Sequence, residues 1–197
     1  MAASAPVQGQ FMPDLLRYSI DARASRFTVQ AFAGGIGAIM AHNPKFAIRE
    51  FEGEAAFAPD SLADAMLRVT VKPASLDLLD DLSTKDRADI LRVTFEEVLE
   101  TDRFPEIVYE STQVAPTNIA PNLYRAVVSG NLSLHGDTNP QSITAQVTIA
   151  GDTLRANGEF TLKQTAYGIK LVSVAGGVIK VKDDLKCTFD IVARKQA

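Results

Sequence analysis

From Tyr18 onward, apolar and polar residues alternate with period two, and each run is cut off by a short cluster of turn formers. Successive side chains of a strand point to opposite faces, so the pattern predicts strands with one face on a core and the other in water. In "LRVTVKP", Leu67, Val69 and Val71 alternate with Arg68, Thr70 and Lys72. "SRFTVQAFA" sets Phe27, Val29 and Ala31 against Thr28 and Gln30. The second half carries longer runs. Tyr124, Ala126, Val128, Gly130, Leu132 and Leu134 share one face, Ile143, Ala145, Val147 and Ile149 the next, and Leu154, Ala156, Gly158, Phe160 and Leu162 a third. The connections "HGDTNPQ" and "AGDT" are rich in turn residues, which makes these runs neighbouring antiparallel strands.

Two places disturb the alternation. In "FAIREFEGEAAF" the apolar parity moves from Phe46 and Ile48 to Phe51, Ala55 and Phe57, which one inserted residue would produce, so a bulge is expected near Arg49 and Glu50. In "GVIKVKDDLKCTFDIVARK" the inward set is Ile179, Val181, Leu185, Cys187, Phe189 and Ile191, and Asp183 falls on the same parity. A buried lone carboxylate costs several kcal/mol, so a strand end or bulge is expected at Asp183.

One segment has helical rather than strand period. In "STKDRADILRVTFEEVLETDRFP", Ser83 can cap a helix with Asp86 three residues on, and Leu91, Phe95, Val98 and Leu99 follow on one stripe that ends at Phe104 and Pro105. About eight antiparallel strands with one amphipathic helix predict an all-β fold, an up-and-down, lipocalin-like barrel with the helix plugging an end or packing on the side. Such a barrel can fill its interior or keep room for one small ligand. Small inward residues (Gly53, Ala55, Ala126, Gly130, Ala145, Ala156, Gly158) mix with large ones here, and that mixture is compatible with either.

A chain of 197 residues with 46% hydrophobic residues is long enough for one real core, expected over residues 17–197 behind an N-terminal extension, 1–16. The net charge of −4 and scattered Lys and Arg leave no basic footprint for nucleic acid. Cys187 is the only cysteine, which excludes an intrachain disulfide and a cysteine-built zinc site. No stretch reaches the length of a transmembrane helix, and "MAASAPVQGQFMPDLLRY" lacks the basic and apolar regions of a signal peptide, so a cytoplasmic location is expected.

Catalytic and metal templates are poorly served. His42 and His135 are the two histidines, and neither has a second histidine or a well-placed carboxylate beside it. His135 is expected at a strand corner, turned outward, and His42 in a loop after the Gly-rich "GGIG", at the rim of a pocket. Neither a nucleophile elbow nor a phosphate loop occurs, and Cys187 reads as a buried, inert thiol.

The order of "YSID", "SRFTVQAF", "FEGEAAFAP", "TDRFPEIVYEST", "GNLSLHGDTNP", "GEFTLKQTAYGI" and "VKDDLKCTFDIVA", from about Arg17 to Ala193, resembles the YceI-like family. The resemblance implies a lipocalin-like barrel holding a long apolar ligand, a polyisoprenoid, an isoprenoid quinone or another lipid, and a homodimer. No cofactor is expected beyond a bound isoprenoid or fatty-acid-like lipid, and no metal. Carried over by residue, Phe51, Phe57, Tyr109, Leu132, Phe160 and Phe189 would line the lumen, with Phe95 and Phe104 closing it from the helix. Alternation adds Phe27, Val29, Val69, Leu134 and Leu162 to the lining. His42 and Tyr167 are candidates at the mouth for a head group. Many members of the family carry a signal peptide, and the stretch "FAGGIGAIMAHNPKF" around His42 departs from their commoner pattern. Two other readings stay open: a calycin-like enzyme in which His42 or Tyr167 assists proton transfer, and a packed barrel acting through its surface as a stress-associated interaction module.

Overall fold

A computed structural model describes residues 15–34, 43–59, 61–174 and 179–197. In chain order the elements are β1 (Leu16–Ile20), β2 (Arg26–Gln30), β3 (Ala33–Gly34), β4 (Lys45–Ile48), β5 (Phe51–Ala58), β6 (Ser61–Val71), β7 (Leu76–Leu78) and α1 (Thr84–Arg92). There follow β8 (Ile107–Ala120), β9 (Leu123–Leu134), β10 (Asp137–Ala150), β11 (Thr153–Lys163), β12 (Ser173–Val174), β13 (Ile179–Val181) and β14 (Asp184–Lys195).

Eight strands close on themselves in the order β1, β5, β6, β8, β9, β10, β11, β14, and β14 returns to β1 through Tyr18↔Lys195 and Ile20↔Ala193. All pairings are antiparallel. The other half of β14 continues into β2, then β4 and β7. Taken together, β1 with β2, β4 with β5, and β6 with β7 are three bent strands, so the barrel is an up-and-down meander in sequence order. Beside one end lies a small sheet of β12, β13 and β3.

The parity change at Arg49 and Glu50 is therefore a corner rather than a bulge. There the chain leaves its pairing with β2 and β7 and takes up pairing with β1 and β6. Ser75 holds the corner. Its hydroxyl accepts from Glu50 N at 2.9 Å and donates to the Lys72 carbonyl at 2.7 Å, while Lys72 N donates to the Glu50 carbonyl at 3.0 Å. These bonds replace the ladder that the corner interrupts.

The turn in "HGDTNPQ" is shorter than its composition suggests. His135 and Gly136 alone make it, at φ 53° and 85°, the two positive angles that a tight hairpin needs to follow the strand twist, and β10 already begins at Asp137. Asp183, as its parity demanded, sits at the bend between β13 and β14. One of its carboxylate oxygens accepts from Thr165 N at 2.8 Å and the other from the Thr165 hydroxyl at 2.7 Å.

The helix starts where expected, with the Ser83 hydroxyl accepting from Asp86 N at 3.1 Å. From Val93 to Val98 it widens into π-helical turns, with Leu99 N bonded to the Thr94 carbonyl five residues back. The widening rotates the inward stripe. Ile90, Val93 and Thr94 now join Val98 and Leu99 in facing the barrel interior, while Leu91 and Phe95 do not.

Candidate ligand-binding site

The inward faces enclose a cavity of about 720 Å³, within the range of about 300–1,000 Å³ typical of small-molecule sites. Its wall combines the alternating inward residues of the barrel strands with the helix stripe. Phe27, Val29, Phe57, Val69 and Tyr109 line it, as do Leu132, Leu134, Phe160, Leu162 and Phe189. Small inward residues serve two ends. A Cβ on Gly130 would meet the Tyr109 ring at 2.6 Å, and one on Gly158 would meet the Phe189 ring at 2.8 Å, so these glycines make room for rings. Ala126, Ala145 and Ala156 border the cavity itself.

Three expected lining residues lie elsewhere. Phe51 shares a face with Val71 but packs with it and Ile48, edge-on to Phe27 at 6.3 Å between centroids, and does not reach the cavity. Phe95 is turned from the interior by the π-helical phase. Phe104 stands against the His135 ring, 4.6 Å between centroids, with the Arg103 guanidinium 4.9 Å from the centroid of the Phe104 ring.

The two mouth candidates separate as well. Tyr167 is buried in the core, not at a rim, and burial pushes its phenol up from the ordinary value. His42 lies outside the described residues. His135 was expected to turn outward, but its ring is tucked in. Nδ1 donates to the Tyr167 carbonyl at 3.2 Å, and Nε2 lies 3.5 Å from a Glu100 carboxylate oxygen.

The lower end of the barrel is floored by Tyr18 and Phe57, stacked at 5.3 Å, with the Tyr18 hydroxyl donating to the Gly151 carbonyl at 3.3 Å. The helix covers the opposite end. Most polar side chains on the cavity wall lie there: Asp89 and Thr94 on the helix, Gln141 on β10, and Gln164 just beyond β11, with Glu54 of β5 apart from them. The Gln164 amide donates to the Lys182 carbonyl at 2.9 Å, and the Thr94 hydroxyl to the Ile90 carbonyl at 2.8 Å.

Reactive groups on the wall are quiet. The Tyr109 hydroxyl is shared between the Val128 and Gln141 carbonyls at 3.1 and 3.2 Å, and burial pushes it up to about 12. Burial likewise pushes the Cys187 thiol up to about 12, so it stays protonated at neutral pH. Among the described residues no group of three or more His, Cys, Asp or Glu side chains is placed to hold a metal ion. No helix among them is long and apolar enough to cross a membrane.

A closed antiparallel barrel around an apolar cavity, floored by aromatic rings and covered by a helix, places the molecule among the lipocalin-like barrels. Within that class the chain belongs to the YceI-like family, whose model, the YceI-like domain, matches residues 18–193. Solved structures agree on the fold. BcnA of Burkholderia cenocepacia superposes with a TM-score of 0.66 at 20% identity, over 88% of this chain and 98% of that one. A polyisoprenoid binding domain from Saccharophagus degradans, implicated in plant cell wall breakdown, gives 0.61 at 13% identity, over 92% and 99%. The YceI protein of Campylobacter jejuni gives 0.59 at 15%, over 80% and 88%. A comparison with curated proteins finds no match.

Proposed function

We propose that this protein binds and carries a long apolar ligand, a polyisoprenoid, an isoprenoid quinone or another lipid, inside the barrel. The observation that carries the reading is the cavity: about 720 Å³ of space walled by aliphatic and aromatic side chains, with Asp89, Thr94, Gln141 and Gln164 toward the helix and Glu54 apart from them. Apolar surface moved from water into such a space gains about 25 cal/mol per Å², which favours a ligand that is mostly hydrocarbon. The polar end of the cavity suits a single head group, held beside Thr94, Gln141 and Gln164. The Saccharophagus degradans domain, described as polyisoprenoid binding, supports the same ligand class. The homodimer that the family resemblance implies belongs to this proposal, and sedimentation velocity tests it.

Native mass spectrometry and organic extraction of the purified protein test the ligand. Co-purified prenyl or acyl lipid, or stoichiometric uptake of a fluorescent fatty acid displaced by a prenol, is expected. An empty protein that takes up neither would overturn the reading.

A further inference from the structure

The barrel wall has one stretch that side chains close without backbone bonds. Pairing of β6 with β8 runs only from Arg68↔Glu110 to Val71↔Ile107, although β6 starts at Ser61 and β8 continues to Ala120. The last link is a single bond, Leu67 N to the Ser111 hydroxyl at 2.8 Å. One residue further on, β8 bulges between Ser111 and Gln113, and from there it stays paired to β9 with no ladder to β6. A comparable split between β10 and β11, above Ala145↔Gly158, is filled by the turn at Gln164–Tyr167, whose carbonyls accept from the side chains of Asn139 and His135. Among the described residues the β6–β8 seam has no such filler.

The cavity reaches this seam. Leu62, Ala65 and Met66 of β6 and Val114 of β8 are on its wall, and Met66 is nevertheless 55% exposed. Elsewhere on the outer wall, Val127 of β9 and Ile119 of β8 are further large apolar side chains open to water. Pro116, opposite Ala126 of β9, lies beyond the part of β8 that pairs with β6 and removes a donor from that stretch, which disfavours sealing by another strand. The floor at Tyr18 and Phe57 and the helix at the other end are both closed by packed rings or a whole element.

We propose that the ligand is an apolar chain longer than the cavity, with its head group under the helix and its distal end leaving between β6 and β8 beside Met66. This rests on the reading of the cavity as an apolar-ligand site. Passage there separates side chains and breaks no strand ladder, so a tail of any length can be accepted while the head stays fixed. The seam thereby sets ligand length, where a sealed barrel of this volume would reject long chains.

The test places an environment-sensitive fluorophore on Met66→Cys, on Ile119→Cys, and on Thr188→Cys, an exposed position on the outer wall of β14. The buried Cys187 thiol does not compete for the label. Farnesol and solanesol are then compared, each also scored for displacing a fluorescent fatty acid from the unlabelled protein. Both prenols are expected to displace it, while only solanesol blue-shifts the Met66 label and neither moves the Thr188 label. Displacement by solanesol with the Met66 and Ile119 labels as still as Thr188 overturns the seam. Failure of both prenols and the fatty acid to bind overturns the cavity reading itself. If the Met66 variant does not fold, the Ile119 variant, exposed on β8 itself beyond its ladder with β6, decides.

Discussion

Glu100 and His135 face each other 3.5 Å apart between a carboxylate oxygen and Nε2, and each is a non-glycine residue at positive φ, 44° and 53°. One ends the helical segment and the other makes the β9–β10 corner, so the contact ties the cover of the cavity to the barrel wall. Left-handed backbone at such residues persists where surrounding packing determines it. The ring of His135 on Phe104 supplies that packing.

The ring pair is expected to be worth measuring as a couple. His135→Ala and Phe104→Ala should each lower stability by about 1–3 kcal/mol. The double variant should lose less than their sum, by about 0.5–1.5 kcal/mol in a urea double-mutant cycle. Additive losses would show that the helix end is held by other contacts.

Tyr109 spends its hydroxyl on two backbone carbonyls rather than on the lumen. Tyr109→Phe is therefore expected to cost about 0.5–1.5 kcal/mol of stability, read from the denaturant midpoint. Its affinity for a bound apolar chain should stay within about a factor of two, since one tenfold step needs about 1.4 kcal/mol. A large loss of affinity with unchanged stability would place the hydroxyl at the ligand.

Ala145 is buried on the cavity wall opposite Ala126 in the β9–β10 register. Ala145→Phe should fill lumen space rather than force apart a packed core, which elsewhere costs about 1–3 kcal/mol. The melting temperature is expected to hold or rise while the stoichiometry of fatty-acid uptake falls. A sharp drop in melting temperature would mean that the interior has no room at this level.

Asp183 has its carboxylate held below the ordinary range, first by the Thr165 backbone N–H and then by the Thr165 hydroxyl. A carboxyl whose folded value is depressed adds stability that is fully present above its unfolded value, about 3.9, and is lost as pH falls through the folded value. Asp183→Asn should thus lower stability at pH 7 and flatten the acid limb of the stability curve below about pH 4. Parallel curves for the two proteins, measured by urea titration at several pH values, would contradict this.

Much of the site was legible in the sequence because period two assigns a face residue by residue. Phe27, Val29, Leu132, Phe160 and Phe189 could be placed inward from their neighbours alone, and they do line the cavity. Phe51 had the right parity, but Phe27 stands beside it, and which of two inward rings reaches an open space depends on both. Phe95 failed for a different reason: the extra residue in the π-helical turns shifts the phase, and nothing in the α-helical period announces it. The burial of His135 and Tyr167 depends on three segments far apart in sequence meeting at one end of the barrel.

By itself the sequence determined the long strands, the capped helix start at Ser83, the break in the strand at Asp183 and the inward faces, since each is set by residues close along the chain. The tertiary structure decided that the interior is a cavity, where the Arg49–Glu50 corner splits a strand, and where the ladder between β6 and β8 stops. Those depend on how the volumes of eight strands' side chains compare with the radius of the closed barrel, and on which backbone groups still find partners once it has closed.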